Sequence, residues 1–395
     1  MTTLLTFVFW LSVFLLFFTH FGYPMVLWIL EALGVGNKAG QIRGDRVGSF
    51  PSLTADEPGT DENLLPMVSL VIASYNEEDV IGAKVKNALE LEYPRERLEI
   101  IVASDGSRDA TVELARKAGA DLVLDLPRGG KIPAQNAGAE AAEGSLLAFS
   151  DANSIWKPNA LTELLEPFRD PRVGYVCGQV RFVGPDGGNL EGAYWRYEMK
   201  VRELESGLAG VTAGNGAIYA VRAERYIELA PSGSHDLSFP FALAKLGSYS
   251  LYRPKAQAEE KVVPSLEGEL ARKRRMMIGL WDIVFGEGMS DIRGYSPAYL
   301  FEIVSHRFLR YLSPFIHLAA LGANVALLAQ GPVYRFTLAV QVLVLLSAVL
   351  GRWVPLLPFR ICRYYTLATL SIALGFWDRW RQGPPGYWEK AEGTR

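Results

Sequence analysis

Apolar runs divide this chain into three parts. From Leu4 to Leu30 the sequence is apolar except at Thr6, Ser12, Thr19, His20, Gly22, Tyr23 and Pro24. That run exceeds the roughly 20 residues that cross a bilayer, and it predicts a transmembrane helix. It has no basic flank before it and no small-residue cleavage site, which favours an anchor over a removed signal peptide. Near the other end, Pro314–Gln330 and Phe336–Leu350 each predict a span once flanking residues and tilt are counted. Tyr364–Trp377 is only about 14 residues long, which suits a re-entrant or interfacial piece better than a crossing.

Between these runs the period changes. Val68–Ala73 is a short β-rich run ending in Ser74-Tyr75-Asn76-Glu77-Glu78, and helical spacing resumes from Val80. Ile100–Ala103 followed by Thr111–Ala118 repeats the strand–loop–helix unit, and Leu146–Ser150 predicts another buried strand. Such units predict an α/β domain. The polar loops then place acids and a lysine along the carboxyl edge of the sheet, where open α/β sheets bind ligands. Pro297–Leu312 alternates Tyr299, Phe301, Ile303, Phe308 and Leu312 with Glu302, His306, Arg307 and Arg310. That pattern predicts a helix at the inner-leaflet interface, or one packing its apolar side on the protein core. The expected organisation is an anchor over 1–34, a linker over 35–66, a soluble domain over 67–290, an interfacial helix over 291–312, membrane segments over 313–377 and a tail over 378–395.

At 395 residues and a formal net charge of −3, the chain has room for one α/β domain of ordinary size beside the membrane segments. Lys38, Arg43 and Arg46 follow the first apolar run, and only the terminal amine precedes it, so the positive-inside rule places the soluble domain in the cytosol. The expected location is a bacterial-type inner or plasma membrane. Arg379, Arg381 and Lys390 favour the tail on the same side. Cys177 and Cys362 give neither a disulfide framework nor metal spacing, and four scattered histidines offer no zinc site. No repeat of solenoid period is present.

Several polar groups have simple readings. Asp-Gly at 105–106 makes a turn, and Asp109 caps the following helix. Asp105, at the end of a strand beside the Tyr-Asn-Glu-Glu loop, is not explained that way. Lys131 is not in a Walker P-loop, because Ile132 follows it and no glycine stands five residues before Gly130. Asp151 or Asn153 alone could cap a helix near Pro158, and Asp236 could cap one over Leu237–Leu246. Ser234, His235 and Asp236 are adjacent and cannot converge as a triad. The basic run Arg272-Lys273-Arg274-Arg275 suits a solvated or headgroup-facing helix face.

Taken in order, Tyr75-Asn76-Glu77-Glu78, Asp105-Gly106-Ser107-x-Asp109-x-Thr111, Gly130-Lys131-x-x-x-x-Asn136-x-Gly138 and Asp151-Ala152-Asn153 resemble the nucleotide-sugar half of membrane-bound family 2 glycosyltransferases. The relatives in view are exopolysaccharide and hyaluronan synthases and ceramide glucosyltransferases. The resemblance covers about residues 66–290 and implies a GT-A fold: a Rossmann-like mixed sheet flanked by helices, here with N-terminal and C-terminal transmembrane helices. It assigns Tyr75, Glu77 and Asp105 to the base and ribose of the donor and Lys131 to its diphosphate or uracil. Asp151 and Asn153 stand at the Asp-x-Asp position that holds Mg²⁺ or Mn²⁺, with Asn153 a departure that weakens metal affinity. Gly214-Asn215-Gly216 resembles the segment lining the acceptor. Asp236 matches the catalytic base, with His235 where an acid is common. Arg275 aligns with the arginine of a Gln-x-x-Arg-Trp motif and stabilises the departing diphosphate. Arg272 replaces the glutamine, on the donor side, and Met276 replaces the tryptophan, which weakens a processive assignment.

The implied reaction is inverting transfer from a nucleotide sugar, by default a UDP-sugar, to a polysaccharide or lipid-linked glycan at the cytosolic face. Two alternatives remain: single-sugar transfer to a polyprenyl phosphate or ceramide-like lipid, and a non-catalytic scaffold or export homologue. Membrane lipids are expected partners, no nucleic acid is, and a homodimer or separate export partner stays open. The tail from Gly386 to Arg395 is expected either to fold over the active site or to be disordered.

Overall fold

The computed structural model describes residues 1–36, 65–183, 190–261 and 266–383. The chain enters as α1 (Thr2–Phe17) and α2 (Tyr23–Ala32), joined into one apolar rod by a π-turn over Phe18–Gly22. The cause of that turn is Pro24, which has no N–H to offer the carbonyl four residues back. That carbonyl, on His20, accepts instead from the Tyr197 hydroxyl at 2.9 Å.

The soluble domain follows as β1 (Val68–Ser74), α3 (Ile81–Leu89), β2 (Leu98–Asp105), α4 (Thr111–Ala118), β3 (Leu122–Leu126), α5 (Lys131–Glu140) and β4 (Leu146–Asp151). After these come β5 (Ile155–Trp156), α6 (Ala160–Leu165), β6 (Val173–Val183), α7 (Leu190–Leu208), β7 (Tyr219–Arg222), α8 (His235–Lys245) and β8 (Tyr249–Lys261). The described strands form one eight-stranded sheet in the order β3-β2-β1-β4-β7-β6-β8-β5. The first four run parallel; β7 runs against both β4 and β6, and β8 runs parallel to β6. Strand β1 is buried at every position, as a central parallel strand covered on both faces must be. Alternation then sorts its side chains. Leu70 and Ile72 pack with Ile81, Val85 and Leu161 on one face, while Val71 packs with Ile132, Phe149 and Tyr219 on the other. Helices α3 and α5 therefore cover opposite faces, and the carboxyl ends of β1, β2, β3 and β4 open onto one edge.

The remaining helices are α9 (Leu266–Phe285), α10 (Pro297–Glu302), α11 (Leu309–Ala326), α12 (Pro332–Leu350) and α13 (Leu357–Gln382). Two stretches are long and apolar enough to cross a membrane, Thr2–Ala32 and Pro332–Leu350, with only 17% and 11% of their apolar windows buried by protein. Two of the expected segments take these forms. The short piece expected over Tyr364–Trp377 is the interior of the 26-residue α13, whose Asp378 and Arg379 pair with Arg274 and Asp282 of α9. Of the two readings of Pro297–Leu312, packing on the protein core describes its inward face, where Tyr299, Glu302, Ile303 and His306 are all at 1% exposure or less, while Val304 and Leu312 are exposed.

Its polar residues go inside because α7 supplies their partners. His306 Nδ1 lies 2.6 Å from Glu205 Oε1, and Arg310 donates to Glu198 at 2.6 Å. Glu205 also accepts from the Tyr23 hydroxyl at 2.8 Å and from the Thr212 amide at 3.2 Å, and Arg307 donates to the Thr212 hydroxyl at 2.8 Å. Burial alone would raise the Glu205 carboxyl, but His306 and Arg307 hold it below the ordinary carboxylate range. The first apolar rod, the loop at Thr212 and the entry to α11 thus meet on one buried carboxylate. The linker over 37–64 and the tail from residue 384 lie outside the described residues.

Candidate active site

The two loops that open the sheet edge are stitched together by reciprocal hydrogen bonds. The Asn76 amide donates to Ser107 Oγ at 3.0 Å, and Asn76 Oδ1 accepts from the Arg108 amide at 2.8 Å. The Glu77 amide donates to Thr111 Oγ1 at 2.7 Å, while Glu78 accepts from the Ala110 amide at 3.1 Å and donates from its own amide to Asp109 at 3.2 Å. Asp109 also accepts from the Thr111 amide at 3.1 Å, so it caps both loops. Asn76 takes a left-handed φ of 51° to make these contacts, a conformation asparagine tolerates.

Asp105 ends β2 and is 2% exposed. Its Oδ1 accepts from the Gly129 amide at 2.6 Å and the Gly130 amide at 2.8 Å, and Oδ2 pairs with Arg128. The Arg128 guanidinium lies 3.5 Å from the centroid of the Tyr75 ring. Tyr75 and Asp105, expected together, are therefore joined through Arg128. Sequence reasoning missed this residue, although its place before Gly129-Gly130-Lys131 was a signal. Glu77 is buried at the same edge.

Lys131 opens α5, and Asp151 ends β4. Their side chains form an ion pair. Burial opposes the Lys131 charge, but Asp151, with Asp236 and Glu260, outweighs it and holds the ammonium above its ordinary pKa. Asn153 follows in the turn after β4. The candidate metal donors are one carboxylate and one amide, and the described residues hold no group of three His, Cys, Asp or Glu side chains able to cage an ion. That donor set fits Mg²⁺ or Mn²⁺ taking most ligands from phosphate oxygens and water. It does not fit a closed zinc site.

The Gly214–Ala217 loop lies between this pair and Asp236. A Cβ on Gly214 would collide with the Tyr175 hydroxyl, so close approach requires glycine there. The Gly214 amide donates to the Asp236 carbonyl at 2.6 Å, and Arg202 donates to the Gly214 carbonyl at 2.7 Å. Asn215 is buried, donating to the Gly178 carbonyl at 2.5 Å and accepting from the Ile218 amide at 3.0 Å. Gly216 faces Lys131, whose Nζ would lie 3.4 Å from a Cβ built there. Of the three residues expected to line the acceptor, Gly214 and Asn215 brace the loop and Gly216 borders the Lys131–Asp151 pair.

Asp236 stands in the first turn of α8, not at its cap; the cap position is Ser234, whose hydroxyl donates to the Asp236 carboxylate. Backbone amides at a helix start favour that negative charge. His235 points the other way, 3% exposed, with Nδ1 2.6 Å from the Tyr219 hydroxyl and Nε2 3.4 Å from that of Tyr226. Burial, reinforced by Lys131, lowers its pKa to about 3, so it is neutral in the core and stands apart from the acid–base chemistry. The side chains of Arg272 and Arg275 lie outside the described residues; their backbone is in α9. Helix α9 is tied to α13 by the Arg274–Asp378 and Asp282–Arg379 ion pairs, each 2.6 Å.

The mixed curled sheet with its parallel half and acidic carboxyl edge is a GT-A glycosyltransferase fold. It is shared with the mannosyltransferase PcManGT from Pyrobaculum calidifontis, solved with GDP-Man and Mn²⁺, at a TM-score of 0.68 and 22% identity over 95% of this chain and 99% of that one. Residues 69–225 match the family described as Glycosyl transferase family 2, so the chain carries a family 2 glycosyltransferase domain. It is similar to glycosyltransferase AglE of Haloferax volcanii, 30% identical over 135 residues, which is 33% of this chain and 44% of that one. It is also similar to the poly-beta-1,6-N-acetyl-D-glucosamine synthase of Staphylococcus aureus, 34% identical over 130 residues, or 32% of this chain and 31% of the relative. The matches thus span less than half of these curated relatives' length.

Proposed function

We propose that this chain is an inverting membrane glycosyltransferase that moves a sugar from a nucleotide-sugar donor to a glycan or lipid-linked acceptor at the cytosolic membrane face. The observation that carries this reading is a three-residue bridge. The Gly214 amide bonds the Asp236 backbone while Gly216 borders Lys131, whose ammonium pairs with Asp151. A carboxylate and an ammonium–carboxylate pair thereby flank one short loop.

The chemistry follows from that placement. Asp236 takes the proton from the acceptor hydroxyl as its oxygen bonds the anomeric carbon, and the bond from that carbon to the diphosphate breaks. The leaving group departs as nucleoside diphosphate with the bonding electron pair. Lys131 offers it a positive charge, and Arg275, on α9, is proposed as a second. Asp151 and Asn153 would hold Mg²⁺ or Mn²⁺, which shields the diphosphate charge when bound. Tyr75, Glu77 and Asp105 would seat the base and ribose, Arg272 the donor side, and Asn215 with its glycines the acceptor wall. The exposed apolar windows of Thr2–Ala32 and Pro332–Leu350 support a membrane setting, because a soluble core helix would be covered by protein.

Single-sugar transfer to a lipid is the second reading, favoured by Met276, 51% exposed where processive synthases present a tryptophan. The test is incubation of detergent-purified protein with a panel of UDP- and GDP-sugars, Mn²⁺ or Mg²⁺ and membrane lipids, with product length read by mass spectrometry. Long glycans support the first reading and one-sugar products the second. No consumption of any donor overturns both in favour of a non-catalytic homologue.

A further inference from the structure

Helix α3 grips the turn after β4 through two residues one turn apart. Asn87 Nδ2 donates to the Trp156 carbonyl at 2.9 Å, and Asn87 Oδ1 accepts from the Trp156 amide at 2.9 Å. Lys84, three residues earlier and so on the same helix face, is wholly buried. Its Nζ lies 4.9 Å from the Trp156 ring centroid and has no hydrogen-bond partner among the described residues. The Trp156 indole in turn donates to the Ala217 carbonyl at 3.0 Å, which also accepts from Ser150 Oγ at 3.3 Å. One side chain therefore joins α3, the Asp151–Trp156 turn and the Gly214–Ala217 loop.

A methionine or leucine would cover that indole without taking an ammonium out of water. The charge itself needs an account. Burial pushes the Lys84 pKa down to about 7, against the opposing pull of Asp151 and Glu260. Helices α3 and α5 cover opposite faces of the sheet, so Lys131 of α5 pairs with Asp151 from one face while Lys84 of α3 packs on Trp156 from the other. A cation on an aromatic face in a desolvated site is worth about 2 kcal/mol, which holds the head in place without a hydrogen bond.

We propose that Lys84 is a positioning residue for sugar transfer, fixing the Asp151–Trp156 segment and the Gly214–Ala217 loop through the Trp156 indole. The proposal rests on the reading of Asp151 as the group that meets metal and diphosphate.

The test compares full-length wild type with Lys84→Met in detergent, using amide hydrogen exchange and calorimetric binding of UDP and of GDP, each with Mn²⁺. The expected result is faster exchange at residues 151–156 and 213–217, with Mn²⁺–nucleotide affinity weakened by about tenfold or more at an unchanged or higher Tm. Unchanged exchange and affinity would overturn the proposal. If the methionine variant fails to fold, Lys84→Gln carries the same comparison. Wild type that binds neither nucleotide with Mn²⁺ contradicts the functional reading instead, and the exchange data then decide Lys84 alone.

Discussion

Asp151 and Lys131 were readable as candidates because each stands at the end of a patterned element, and a carboxylate at a strand's carboxyl end has few structural uses. Their pairing was not readable, since it depends on how α5 returns across the sheet. Lys131→Met is expected to weaken nucleotide binding by about 10–100-fold, the worth of one charge-assisted hydrogen bond, with little change in Tm; calorimetry with UDP and GDP checks it. His235 shows the opposite case, an ionisable residue whose sequence position suggested the acid neighbour of a base and whose ring is core. Its folded pKa of about 3 lies below the ordinary 6.5, so the unfolded chain takes up the proton first as pH falls. The stability it contributes is complete above about pH 6.5 and is lost as pH falls toward 3, a difference on the order of a few kcal/mol. Thermal melts between pH 7.5 and 4 should therefore fall less steeply for His235→Gln than for wild type; parallel curves would contradict the burial argument.

Among the elements, β1, β2, β4, α4 and the first apolar run were legible because their periods are strict. Helix α13 was not. Arg360, Arg363, Asp378 and Arg379 interrupt its hydropathy, and only the structure shows Asp378 and Arg379 meeting Arg274 and Asp282 of α9. The two helices cross closely at Gly375, where an added Cβ would run into the Met277 backbone. Gly375→Val is expected to lower stability by about 1–3 kcal/mol through overpacking, and to reduce turnover more than donor affinity, because α9 carries Arg275. Denaturation in detergent and a kcat against KM comparison test both statements.

For the molecule as a whole, the unreadable feature is the buried polar centre that joins distant segments. Tyr23 and Glu205 are 182 residues apart in sequence, and no local pattern brings them together. Glu205 also accepts from Thr212, two residues before Gly214, so the first apolar rod, α7 and the loop leading to Gly214 share one carboxylate. Glu205→Ala removes the buried carboxylate that His306, Tyr23 and Thr212 share and one of the two that face Arg307, and is expected to destabilise the protein by about 3–5 kcal/mol. Limited proteolysis should then cut the 209–217 segment faster than in wild type. Equal cutting rates and an unchanged Tm would show that the rod and the loop are held by other means.

The central claim is a division of labour across the Gly214–Gly216 loop, with the acceptor base on one side and the donor's leaving group on the other. Its most direct test is Mn²⁺-dependent release of nucleoside diphosphate by wild type, Asp236→Asn and Asp151→Asn, beside calorimetric binding of the same nucleotide. The account predicts that Asp236→Asn binds nucleotide as wild type does while release falls by about 10²–10⁴-fold, and that Asp151→Asn loses binding itself. Full release by Asp236→Asn, or undiminished binding by Asp151→Asn, would contradict it.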